Sequence, residues 1–188
     1  LIDNKKNFNI ALKFIKDNNT IYDFGCGNLG FFDEIKDAKK GLKLIGWDIE
    51  PKMKRIAEKK NYDFKEIKNI KNNSVDIITF FEVIEHITYP EFKKIFSDFD
   101  KKLKKNGLLI ISTPNPNCLE NINRFWNNIE HVKPYSKMAI NSYLNEKNYS
   151  LIKYELFGEL INPLKIMRNV LLGFDWKTTQ LLIYKKIK

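Results

Sequence analysis

Apolar positions along this chain alternate between two periods. Phe8, Ala11, Leu12 and Ile15 recur at helical spacing, and Thr20 to Phe24 follows as a compact strand-like run. A glycine-rich turn leads into Phe31-Phe32-Asp33-Glu34-Ile35, the first turns of a helix. Lys43 to Trp47 reads as a second strand, and Pro51 opens a helix with Met53, Ile56 and Ala57 inward. A short third strand falls near Tyr62 to Lys65. Val75 to Phe81 is a continuous β-branched and aromatic run, the composition of a strand buried on both faces. Phe92, Ile95, Phe96, Phe99 and Leu103 sit at i, i+3, i+4, i+7 and i+11, and Asn106-Gly107 stops that helix. Leu108 to Ser112 is strand five, and Thr113 to Tyr135 reads as a loop. Ser136 caps a helix carrying Ile140, Tyr143 and Leu144; Ser150 to Phe157 and Thr178 to Tyr184 are the last strands. Strands alternating with helices predict an α/β fold, a doubly wound and mostly parallel seven-stranded sheet.

Between the last two strands, residues 158–175 exceed what a hairpin needs. Leu160, Ile161, Leu164, Ile166, Met167, Val170, Leu171 and Leu172 around Pro163 predict a small helical insertion. It either completes the core, or serves as a substrate lid or dimer face. No repeat or linker divides the chain, so residues 1–188 are expected to form a single domain.

The length and the 43% of hydrophobic residues suffice for a sizeable core. No apolar run approaches a membrane span, and residues 1–188 contain no basic, apolar, small-residue leader; the chain opens at Leu1 rather than Met, so a native N-terminus is not legible. Cys26 and Cys118 make neither a disulfide framework nor a metal cluster, so a cytoplasmic setting with no membrane partner is expected. The formal charge of +10 suggests a phosphate-bearing partner such as RNA. Arginine occurs only at positions 55, 124 and 168, however, so the charge is nearly all lysine, beside abundant asparagine and isoleucine. Codon bias of an AT-rich genome accounts for that better than a phosphate-bearing partner does. The oligomeric state is not legible.

Chemistry concentrates first at Asp23-Phe24-Gly25-Cys26-Gly27-Asn28-Leu29-Gly30, where a strand, a tight turn and a helix start coincide. Missing Cβ atoms there let a ligand lie against the backbone. Asp48 ends the next strand, placed to accept both hydroxyls of a ribose. The turn opens with a carboxylate, which repels a pyrophosphate but suits an ammonium group. S-adenosylmethionine has that ammonium and a ribose, and lacks phosphate.

On these residues the chain resembles the class I S-adenosylmethionine-dependent methyltransferases. The matching segments are Asp23 to Gly27, Gly46-Trp47-Asp48-Ile49-Glu50-Pro51, Val75 to Glu82 and Asn106 to Asn115, in family order and spacing. The resemblance implies a Rossmann-like methyltransferase fold and cofactor contacts from Asp23, Gly25, Cys26, Gly27, Asp48, Ile49 and Phe81. Phe64 matches the family's adenine contact in position.

Methyl transfer requires a positioned acceptor that loses a proton, and histidine is the side chain matched to that proton. The two histidines, His86 and His131, lie in segments expected to face the cleft at the strands' carboxyl ends. His131 is the expected base, with Glu82 as its catalytic companion. If a helix begins after strand four, Glu82, Glu85 and His86 converge on one face, and His131 completes a site for Mg²⁺ or Mn²⁺. This pattern resembles the metal site of small-RNA 3′-terminal ribose 2′-O-methyltransferases and, in its first part, the ubiquinone-pathway O-methyltransferases. The arginine-rich, tryptophan-bearing segment of the RNA enzymes is not recognisable here. The expected activity is O-methylation of a small polar metabolite or sugar-linked intermediate; an RNA 2′-O-methyltransferase and a catalytically silent cofactor-binding partner remain alternatives.

Overall fold

The computed structural model describes residues 4–159 and 162–188. Its strands are β1 (Thr20–Phe24), β2 (Lys43–Trp47), β3 (Asp63–Phe64), β4 (Val75–Phe81), β5 (Leu103–Pro114), β6 (Tyr149–Glu159) and β7 (Lys177–Lys186). They form one seven-stranded sheet in the order β3-β2-β1-β4-β5-β7-β6. All pairs from β3 to β5 are parallel, whereas β7 runs antiparallel to both β5 and β6. The helices are α1 (Asn4–Leu12), α2 (Gly30–Ile35), α3 (Pro51–Lys59), α4 (Tyr89–Lys102), α5 (Leu119–Trp126), α6 (Lys137–Glu146) and α7 (Pro163–Leu171).

Alternate residues of the central strands feed two cores, one on each face of the sheet. Tyr22, Ile78, Phe80, Leu109, Ile111, Leu182 and Tyr184 pack with Phe92, Phe96 and Phe99 of α4 and Ile140 and Leu144 of α6. Their neighbours Ile21, Ile77, Ile110, Leu181 and Ile183 pack on the other side with Ile10, Phe31, Phe32 and Ala57. Burial on both faces is the reason that β4 carries an unbroken apolar run rather than alternation. Thr88 and Glu91 close a capping box at the start of α4, and Ser136 Oγ accepts from the Ala139 N–H at the start of α6.

Three boundaries differ from the sequence expectation. The helix through Phe99 ends at Lys102, and Leu103 already belongs to β5, where it pairs with Val75. Asn106 then takes a left-handed φ of 64° at a register shift, so Asn106-Gly107 marks a bulge inside the strand rather than the end of the helix. The expected loop from Thr113 to Tyr135 contains α5, whose Leu119, Ile122 and Trp126 have helical spacing. In the expected insertion, Leu160 and Ile161 lie outside the described residues. The remainder contains α7, but it does not complete the core: Asn169 is its buried residue, while most of its apolar side chains are exposed.

Candidate active site

The carboxyl ends of β1, β2, β4 and β5 gather at one edge of the sheet. Between β1 and α2 the chain doubles back: Gly25 and Gly27 take φ values of +74° and +49°, which side chains rarely adopt. The N–H groups of Gly25 and Cys26 donate to the Trp47 carbonyl at 2.8 and 3.0 Å, tying the turn to β2. Asp48 completes the clasp, accepting the Gly27 N–H at 2.8 Å and the Glu50 N–H at 2.9 Å. A Cβ on Gly27 would meet open space, so the backbone there is uncovered and a ligand can lie against it.

Asp23 lies beneath this turn. It is 3% exposed, and its Oδ1 accepts from the Thr79 hydroxyl at 2.6 Å. Burial raises its pKa to about 7, against the lowering effect of Thr79. Asp23 thus sits beneath the turn with one oxygen engaged by Thr79. Cys26 is buried, and burial drives its thiol pKa upward. Ile49 is 81% exposed, Phe64 is half-buried beside Gly46, and the ring of Phe81 packs edge-on against Phe8 and Phe31.

The segment after β4 folds differently from the expected helix. Glu82 takes a left-handed φ of 56°, and only Ile84–His86 forms a short 3₁₀ turn. Convergence of Glu82, Glu85 and His86 through helical spacing is thus corrected. Glu82 Oε1 instead accepts from Ser112 Oγ at 2.7 Å, and Ser112 Oγ accepts from Asn7 Nδ2 at 3.2 Å. Glu85 is buried and accepts from Thr113 Oγ1 at 2.9 Å. Its backbone carbonyl receives the N–H groups of Val132 and Lys133 at 2.8 and 3.2 Å, pinning the loop that carries His131.

That pin brings the histidines together, with ring centroids 4.8 Å apart and inclined at 65°. His86 Nδ1 donates to the Glu130 carbonyl at 3.0 Å, while His131 packs on Phe125 and its buried Nδ1 has no partner among the described residues. Burial and then the nearby His86 lower the His131 pKa, which favours the neutral imidazole. Burial raises both glutamate pKa values, and the Glu82 carboxylate adds to the rise at Glu85. The potential ligand atoms of Glu85, His86 and His131 all lie within 4.8 Å of one another. Glu82 is not in that group, so the expected four-residue set contracts to three.

Asn7, Thr79, Ser112 and Thr113 escaped the sequence reading as partners of these carboxyls. Asn7 carried one signal, a polar residue directly before the apolar stripe of α1, yet it is fully buried.

A family model described as methyltransferase domain matches residues 3–154. A solved S-adenosylmethionine-dependent methyltransferase from Archaeoglobus fulgidus superposes with a TM-score of 0.81 over 97% of this chain and 92% of that one, at 20% identity. The chain belongs to this methyltransferase-domain family, and it is a class I S-adenosylmethionine-dependent methyltransferase. Among curated proteins it is 25% identical over 142 residues to the mitochondrial ubiquinone biosynthesis O-methyltransferase of Candida albicans, covering 68% of this chain and 42% of that one. It is also 26% identical to a protein named ATP synthase subunit delta from Wigglesworthia glossinidia brevipalpis, over 95% of this chain and 85% of that one. The family model and the fold both side with the methyltransferases.

Proposed function

We propose that this methyltransferase methylates an oxygen of a small polar metabolite or sugar-linked intermediate, with His131 as the base. The observation that carries the reading is the packing of Val83 on Gly25, which sets the segment leading to His86 and His131 against the glycine turn. When bound, the cofactor supplies the sulfonium methyl group. Asp48 is suited to its ribose hydroxyls, the backbone of Gly25, Cys26 and Gly27 to its amino-acid end, and Phe64, Ile49 and Phe81 are the further residues proposed to contact it. Neutral His131, flanked by Phe125 and His86, is the group matched to the acceptor's proton, and Glu82, its proposed companion, is held by Ser112. The O-methyltransferase name of the Candida relative supports oxygen as the acceptor.

Two buried cysteines, both free, fit the cytoplasmic setting proposed with it, and no helix among the described residues is long and apolar enough to cross a membrane. The test is calorimetric titration of S-adenosylhomocysteine together with methyl-transfer assays on a panel of hydroxylated metabolites. His131→Ala should retain cofactor-product affinity and lose turnover. Full turnover in that variant would remove His131 from the chemistry.

A second reading rests on the close grouping of Glu85, His86 and His131. One carboxylate and two imidazoles suit Mn²⁺ better than Mg²⁺, and such an ion would acidify the acceptor hydroxyl.

A further inference from the structure

Helix α7 is built inside out. A surface helix normally turns its apolar stripe to the core, yet here Leu164, Met167, Val170 and Leu171 are 70, 55, 59 and 76% exposed. At 3.6 residues per turn these four fall within an arc of about 120°. The side that faces the protein is polar. Asn169, fully buried, donates through Nδ2 to Glu120 Oε2 at 2.7 Å and to the Asp175 carbonyl at 2.9 Å. Arg168 pairs with the other oxygen of Glu120, and Asn162 caps the helix by accepting the Leu164 N–H at 3.0 Å. Rolling the apolar arc inward would break these bonds and strand a buried Asn and Glu. The outward face is therefore a fixed feature of the fold.

Beside this arc opens a cleft of about 380 Å³ lined by Leu119, Glu120, Arg124, Lys165 and Arg168. Three cations against one carboxylate leave it net basic, and residues 162–172 contain no acidic side chain. A second copy of the chain would bring like charges together, on molecules that each carry +10. An apolar arc with a basic flank matches the boundary of an anionic bilayer, where the apolar side chains enter the acyl region and lipid phosphates meet the cations.

We propose that α7 lays its exposed face on an anionic phospholipid surface, with Arg124, Lys165 and Arg168 receiving the headgroup phosphates. This is peripheral contact by an interfacial helix, independent of the acceptor and of His131.

The experiment is co-sedimentation of the whole chain with vesicles of phosphatidylcholine alone and of equal parts phosphatidylcholine and phosphatidylglycerol. The chain should bind the second far more strongly than the first and release as salt is raised. Met167→Glu combined with Leu171→Glu places charges on the exposed arc without touching Asn169, and should weaken vesicle binding by about a hundredfold. Affinity for S-adenosylhomocysteine should not change in that variant, which reports that it is folded. Lys165→Glu, a milder surface change, should weaken binding several-fold. An unmodified chain that binds neither vesicle overturns the proposal, as does a double variant that binds like the parent. Loss of a concentration-dependent dimer in the double variant, without vesicle binding by the parent, would reassign the face to a second copy. Capture of an acidic protein by α7, again without vesicle binding, would reassign it to that partner.

Discussion

Val83 packs against the bare face of Gly25: a Cβ at position 25 would lie 2.5 Å from Val83 Cγ2, closer than side chains ever approach. The turn after β1 and the turn after β4 thus share one contact. Residue 25 has to be glycine twice over, for its φ of +74° and for this approach.

Gly25→Ala should therefore cost stability through both backbone strain and steric conflict, together about 2 to 4 kcal/mol. Adding Val83→Ala removes the conflict and leaves the strain, so the double variant should recover part of the loss. Thermal melts of the three proteins measure it. A double variant no better than Gly25→Ala would show that Val83 is not the obstacle.

Asp48→Ala should weaken S-adenosylhomocysteine binding by about 10²- to 10⁴-fold, since it removes two charge-assisted hydrogen bonds to the ribose, each worth roughly 1.5 to 3 kcal/mol. The same carboxylate clasps the Gly27 and Glu50 N–H groups, so a modest fall in melting temperature should accompany it. Unchanged affinity by calorimetry would end the assignment of Asp48 to the ribose.

Asp23 makes a prediction about pH. Its pKa is raised from 3.8 to about 7 by burial, so the folded state holds its proton where the unfolded state has lost it. Below pH 4 the group has no differential effect. Between pH 4 and 7 stability should fall as pH rises, by an amount of order 4 kcal/mol at most, and stay level above. Asp23→Asn should remove this dependence, so the difference between the two proteins' denaturation free energies, followed from pH 4 to 8, isolates it. A flat difference across that range would refute a buried, protonated Asp23.

Base catalysis and metal catalysis separate under chelation. With His131 as a simple base, His131→Ala should lower turnover by about 10² to 10⁴, and prolonged chelation should do nothing. With Mn²⁺ held by Glu85, His86 and His131, chelation and Glu85→Gln should be as damaging as His131→Ala, and added Mn²⁺ should restore the chelated protein. Metal analysis of the purified protein supplies the independent readout.

What the sequence by itself determined was whatever depends on neighbours along the chain. The alternation of periods gave β1, β2, β4 and the body of α4. The glycine turn followed by Asp48 pointed to a nucleoside cofactor, because backbone geometry at a glycine and an acidic strand end are local properties. Ser136 as a cap was legible for the same reason, its partner lying three residues away.

Tertiary structure decided what depends on distant partners. Asn7, Ser112 and Glu82 form one hydrogen-bonded chain, although Asn7 and Ser112 are 105 positions apart. Glu82 could not be read as left-handed from E-x-x-E-H, because the bend follows from its place at the end of a buried parallel strand beside β5, where its N–H donates to the Ser112 carbonyl at 3.1 Å. The pairing of His86 with His131 depends on the Glu85 carbonyl that anchors residues 132 and 133. The sequence of α7 predicts an amphipathic helix but not which way it faces. Periodicity reports the contrast between two sides, and only the buried contacts of Asn169 with Glu120 and Asp175 turn the polar side inward.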